Sequence, residues 1–156
     1  MTPGINLIKS SGLFHRIHEY HHDASAASYG LEAVEKMQVV AESVFKTLVV
    51  KTERNEFVVA VLPVSSQLSM KRLAKSAGSK KAEMAKKNIV ERITGYVLGG
   101  VCPLGQKKNL LTILDKSAMD HQTIFVSAGR RGMEIELKPN DLVDLTQAQL
   151  ADIAQN

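Results

Sequence analysis

Tryptophan is missing from this chain, cysteine occurs once, and aromatic residues make up only 4% of its 156 positions. With so few rings, a stacking platform for a long single strand of nucleic acid is not expected. The lone Cys102 excludes an internal disulfide and a cysteine-rich zinc site, and fits a reducing compartment. No apolar run approaches the roughly 18 residues that span a bilayer. The opening MTPGINLIKSSG has neither the basic start nor the apolar centre of a signal peptide. A cytoplasmic protein is the expectation.

What is present suits one ordinary domain over residues 1–156, a length that can bury a core without staples. The formal charge of +4 and pI near 9.2 lean weakly toward a polyanionic partner. Basic residues gather in MKRLAKSAGSKKAEMAKK (70–87), GQKK and AGRRG. On one face these runs could follow a phosphate backbone; they also read as solvated helix and turn residues, the simpler account.

The pattern alternates elements without a regular βαβ rhythm. Thr2 followed by Pro3 predicts a capped helix closed by Gly12, and LFHRIHEY an edge strand. HHDASAASYG reads as a loop, and Leu31, Val34 and Met37 share a helical face. VFKTLVVKT and FVVAVLPV are strong strands joined by ERNE as a hairpin. SMKRLAKSAG predicts a helix, KKAEM a short strand, and KKNIVERITG a helix ended by Gly95. LLTILD, TIFVSA and MEIELK read as strands, and Asn140 as the cap of a last helix beginning DLVDL. The interleaving of helices and strands, with at least one hairpin, points to a compact α+β domain around a mixed sheet, open or curled.

Residues able to carry chemistry are sparse. From Gly100 the chain reads G-V-C-P-L-G-Q-K, close to a P-loop, but Gln106 stands where lysine is required and a strand follows. Nucleotide hydrolysis is thereby excluded. The glycines of TGYVLGGVCPLGQKK (94–108) could line a ligand or simply shape a loop. Cys102 lacks an evident base, and His15, His18, His21 and His22 fall on alternating faces with no second ligand set, so neither a thiol nucleophile nor a metal centre is supported. Ser127 lacks a nucleophile-elbow context and suits hydrogen bonding. Lys46 is the anomaly. It sits mid-strand with Val44, Leu48 and Val50 on one apolar face, where a buried ammonium needs a carboxylate, a route to water or an anionic ligand.

The ordered set MTPGINLI, HEYHHD, VFKTLVV, ITGYVLGGVCPLGQKK, TIFVSAGRRG and MEIEL resembles, over nearly the whole chain, the bacterial YbaK/EbsC family of Cys-tRNA(Pro) deacylases, which is similar to the editing domain of bacterial prolyl-tRNA synthetases. The resemblance implies a trans-acting hydrolase that removes cysteine mischarged onto proline tRNA, with Cys-tRNA(Cys) a further candidate substrate. It places the essential lysine at Lys46 and substrate-binding positions at Tyr20, Tyr29, Thr47, Gly99, Gly100, Ser127 and Glu134, with the Gly99 and Gly100 amides meeting the aminoacyl ester. Tyr29 stands where other members carry Phe, Glu134 where some carry Asp, and Cys102 where Ser is usual.

The same resemblance implies an α+β fold with a mixed, barrel-like sheet flanked by helices, no metal or cofactor, and a prolyl-tRNA synthetase as partner. In its mechanism the substrate thiol attacks its own ester, which accounts for the missing protein nucleophile. Two other readings stay open: an Ala-tRNA(Pro) hydrolase that uses water, and a non-catalytic module that binds tRNA or synthetase.

Overall fold

The computed structural model describes residues 1–26 and 28–156. The chain runs α1 (Pro3–Ser11), β1 (His15–Glu19), α2 (Tyr29–Met37), β2 (Phe45–Thr52), β3 (Phe57–Pro63), β4 (Gln67–Leu68), α3 (Met70–Ser76), β5 (Ala82–Met84), α4 (Lys87–Thr94), β6 (Leu111–Asp115), β7 (Ile124–Ser127), β8 (Met133–Leu137), α5 (Pro139–Thr146), β9 (Gln149–Ala151) and β10 (Ala154–Gln155). Short 3-10 segments precede β2 (Ala41–Ser43) and follow β6 (Lys116–Asp120).

Helix ends follow local chemistry. Thr2 accepts from the Ile5 amide at 3.2 Å, Pro3 sits in the first turn, and Gly12 closes α1 in the left-handed region. The Thr2 hydroxyl also donates to the Ala128 carbonyl, which ties α1 to the end of β7. The last helix corrects one expectation: its cap is Lys138, Pro139 takes the first helical position, and Asn140 lies inside. Proline's fixed φ is already helical and its missing N–H is no loss there, so the helix starts earlier than DLVDL suggests.

β2 and β3 form the hairpin expected of ERNE, with Phe45 opposite Pro63 and Lys51 opposite Phe57. They are the centre of a five-stranded sheet ordered β5-β2-β3-β6-β9, antiparallel on the β5 side and parallel from β3 to β9. β1, the expected edge strand, pairs with β8, and β8 with β7, in a three-stranded antiparallel sheet. β4 and β10 make a small third sheet that the sequence pattern did not announce.

The two main sheets meet where Val44 bridges Phe125 in parallel. Strand pairing does not close a barrel among the described residues. Alternation in the hairpin buries both faces of the large sheet. Val59 and Val61 join Val126, Ile135 and the α1 residues Ile5 and Ile8 in one core. Val58, Ala60 and Leu62 pack with Leu73 of α3 in another. At about 1.5–3 kcal/mol for each large aliphatic side chain removed from water, these two layers fix the hairpin's position. Among the described residues no helix is long and apolar enough to cross a membrane.

Candidate functional site

A cavity of about 410 Å³ opens between the ends of β2, β7 and β8, the start of α2 and the loop after α4. Its wall brings together Tyr20, Tyr29, Lys46, Thr47, Gly99, Ser127 and Glu134, so seven of the positions singled out in the sequence converge on one space. Gly100 does not line it: the Gly100 amide donates to the Val97 carbonyl at 2.9 Å, closing a turn. The amide of Gly99 makes no hydrogen bond among the described residues.

Lys46 resolves its anomaly through this cavity. Its ammonium donates to the Ser66 carbonyl at 2.7 Å, and no carboxylate partner occurs among the described residues. Burial lowers its pKa, as expected where an ammonium is partly withdrawn from water without a counter-charge. With one of three N–H donors used, the others remain for a ligand. Next to it, the buried hydroxyl of Thr47 has no hydrogen-bond partner among the described residues, a costly arrangement unless something entering the cavity supplies one.

Glu134 lies opposite Ser127 in the β7–β8 register and is only 7% exposed. Its carboxyl has no hydrogen-bond or ion-pair partner among the described residues, and desolvation pushes its pKa up to about 8. Tyr20 is pushed up to about 12 by burial and by the nearby Glu134 and Glu32 carboxylates, so its phenol stays protonated. Ser127 Oγ accepts from the Gly129 amide at 3.2 Å, and among the described residues no histidine lines the cavity. Ser127 therefore has hydrogen-bonding capacity without an imidazole base.

The remaining sequence candidates sit elsewhere. Cys102 is fully buried, and burial pushes its thiol up to about 12, which removes thiolate character. His18 bonds Glu136 at 2.8 Å, His22 bonds Glu32 at 2.7 Å, and His15 bonds the Leu13 carbonyl at 2.9 Å. Among the described residues no group of three or more His, Cys, Asp or Glu side chains could hold a metal.

In the sequence Arg131 reads only as part of the basic AGRRG run, not as a member of this wall. Its guanidinium lies 4.0 Å from the centre of the Tyr29 ring and donates to the Leu98 carbonyl at 3.0 Å. Tyr29 in turn covers Gly99, whose φ is +89° and where an added Cβ would stand 2.5 Å from the ring. Only glycine fits beneath it without displacement. Glu32, also missed, is buried and holds the HHD loop to α2: it accepts from the Asp23 amide at 2.7 Å and pairs with His22 and Lys36. Burial opposes its ionisation, but these bonds outweigh that and keep its pKa below the usual carboxylate value.

The mixed α+β fold thus places a half-buried lysine and unpaired polar groups around one concave cavity, a shape that suits a small group better than a flat partner surface. Residues 24–145 match the aminoacyl-tRNA editing domain family, and the chain belongs to it. EbsC of Enterococcus faecalis, named as a candidate Cys-tRNA(Pro)/Cys-tRNA(Cys) deacylase, is 41% identical over 136 residues, covering 86% of this chain and 83% of that protein. YwhH of Bacillus subtilis is 30% identical over 115 residues, covering 74% and 73% respectively. Among solved structures, a candidate trans-editing enzyme for prolyl-tRNA synthetase superposes with a TM-score of 0.84 at 22% identity, over 100% of this chain and 99% of that one. A hypothetical protein superposes at 0.86 with 25% identity, over 99% and 100%.

Proposed function

We propose that residues 1–156 act as one trans-editing domain that hydrolyses Cys-tRNA(Pro), and in the same way Cys-tRNA(Cys), in the cytoplasm. The 41% identity to EbsC supports the substrate class. The observation that carries the mechanism is a cavity with donors and unpaired polar groups but no histidine, and with the chain's one thiol buried away from it. Such a wall suits a reaction whose nucleophile arrives with the substrate.

In this reading the aminoacyl group enters the cavity with its ester carbonyl toward Lys46 and the free Gly99 amide. The substrate thiol, losing its proton, forms a bond to its own carbonyl carbon, and collapse of the tetrahedral intermediate breaks the ester C–O bond. The ribose oxygen leaves with a proton, and water then opens the strained cyclic thioester to give cysteine. Proximity and stabilisation of developing negative charge supply the rate, both of which preorganised donors provide. Thr47, Tyr20 and Ser127 hydrogen-bond the aminoacyl group, Tyr29 covers it, and Glu134 receives its α-amino group. Gly100 acts one step removed, by shaping the turn that presents Gly99.

A separate hydrolytic site makes physical sense, because small apolar pockets distinguish similar amino acids by only about 1–3 kcal/mol. The few base-reading side chains available here favour tRNA selection shared with prolyl-tRNA synthetase. The test is release of cysteine from Cys-tRNA(Pro) by the purified protein with and without that synthetase. Turnover supports the reading, and stimulation by the synthetase supports the partnership; absence of turnover in both arms overturns it in favour of a binding module.

A further inference from the structure

A second cavity, of about 440 Å³, adjoins the first and is lined by Tyr29, Lys87, Glu91, Val97, Leu98 and Arg131. Tyr29, Leu98 and Arg131 belong to both walls, so the stacked Arg131–Tyr29 pair is the partition between the two spaces. We propose that this cavity is the subsite for the 3′-terminal nucleotide of the RNA to which the acyl group is attached. The inference rests on the hydrolytic reading above for the occupant of the first cavity.

Connectivity makes the first argument. An acyl group held against Lys46 is joined through its ester to a ribose, so the nucleotide must lie at the mouth, and the shared wall leads into the second cavity. Chemistry makes the second. Val97 and Leu98, adjacent in the chain and 53% and 42% exposed, both line this cavity and offer an apolar surface to a base.

Lys87 and Arg131 add cations suited to a phosphate, and Arg131 is already held by the Tyr29 ring and the Leu98 carbonyl. Glu91 is the opposing charge, but its carboxylate accepts from the Leu98 amide at 3.3 Å and so holds the loop. The basic stretch 70–87 ends at this cavity, since Met84 lines the first space and Lys87 the second. The strand continuing the RNA would pass along it.

Binding of uncharged proline tRNA tests the subsite without requiring hydrolysis, with affinity measured against salt concentration. Lys87 is exposed, so Lys87→Ala leaves the core untouched. The expected result is affinity roughly 3- to 10-fold weaker at low salt and a log–log salt slope shallower by about 0.7–0.9, the loss of one phosphate contact. Arg131→Ala, which also removes the stack, should weaken binding at least as much. In turnover both variants should raise KM for Cys-tRNA(Pro) more than they lower kcat. Unchanged affinity and slope in both variants would overturn the subsite. Wild-type protein that binds tRNA through Lys87 but cleaves no aminoacyl-tRNA would sink the hydrolytic reading and leave the RNA subsite standing.

Discussion

The ammonium of Lys46 is held by the carbonyl of Ser66, 20 residues away in the chain, at 2.7 Å. This bond fixes a cation at the cavity wall without neutralising it. Lys46→Ala should therefore lower kcat for Cys-tRNA(Pro) by about 10²- to 10³-fold, the usual range for losing a charge-stabilising donor. Because Ser66 is only partly buried, water replaces the lost donor, and thermal denaturation should show a change under about 1 kcal/mol. Full turnover by a folded variant would remove Lys46 from the mechanism.

Thr47 makes the opposite trade. Its hydroxyl is buried without a partner, so Thr47→Val should leave stability equal or higher by up to about 1 kcal/mol. Substrate binding should suffer, seen as a several-fold rise in KM. A clear loss of stability would mean that the hydroxyl is satisfied within the fold rather than reserved for ligand.

Gly99→Ala places a methyl group 2.5 Å from the Tyr29 ring at a φ of +89°. Strain of this kind costs about 1–3 kcal/mol, or is relieved by moving Tyr29 off Arg131. Either way activity should fall about 10-fold or more, and a structure of the variant should show the stack opened. Unaltered activity would show that the stack does not shape the site.

Glu134 gives the chain a pH dependence. Its folded-state pKa is raised from 4.5 to about 8, so the folded protein holds the proton more tightly than the unfolded chain. Its contribution is complete below the unfolded value and is lost as pH rises through the folded one. Stability should fall by up to roughly 1.4 kcal/mol per pH unit between these values. Glu134→Gln should flatten that slope, so denaturation profiles of the two proteins at pH 5 to 9 should diverge as pH increases. Parallel profiles would place the Glu134 carboxyl in water.

Much of this was legible in the chain, for physical reasons. The VFKTLVVKT and FVVAVLPV strands announce themselves because burial on both faces demands continuous apolar character, and against that background one lysine stands out. Resemblance to a family then gathered Tyr20, Thr47, Gly99, Ser127 and Glu134, positions that no local pattern connects. Tyr29 came from the same resemblance, but its stack with Arg131, which divides the two cavities, was not legible, because an arginine in a turn and a tyrosine at a helix start carry no periodic signal. Gly100 shows the converse: its place beside Gly99 suggested two free amides, but closing the turn consumes one of them. β4 and β10 escaped notice because two-residue strands have no period to read.

The central claim is that the substrate supplies its own nucleophile, and one comparison tests it most directly. The purified protein is given Cys-tRNA(Pro), Ser-tRNA(Pro) and Ala-tRNA(Pro) at equal concentration, and release of each amino acid is timed. The account predicts rapid loss of cysteine with serine and alanine left attached, since an alcohol is a poorer nucleophile than a thiol and alanine has neither. Comparable cleavage of alanine would contradict it, because only an attacking water could then serve all three substrates.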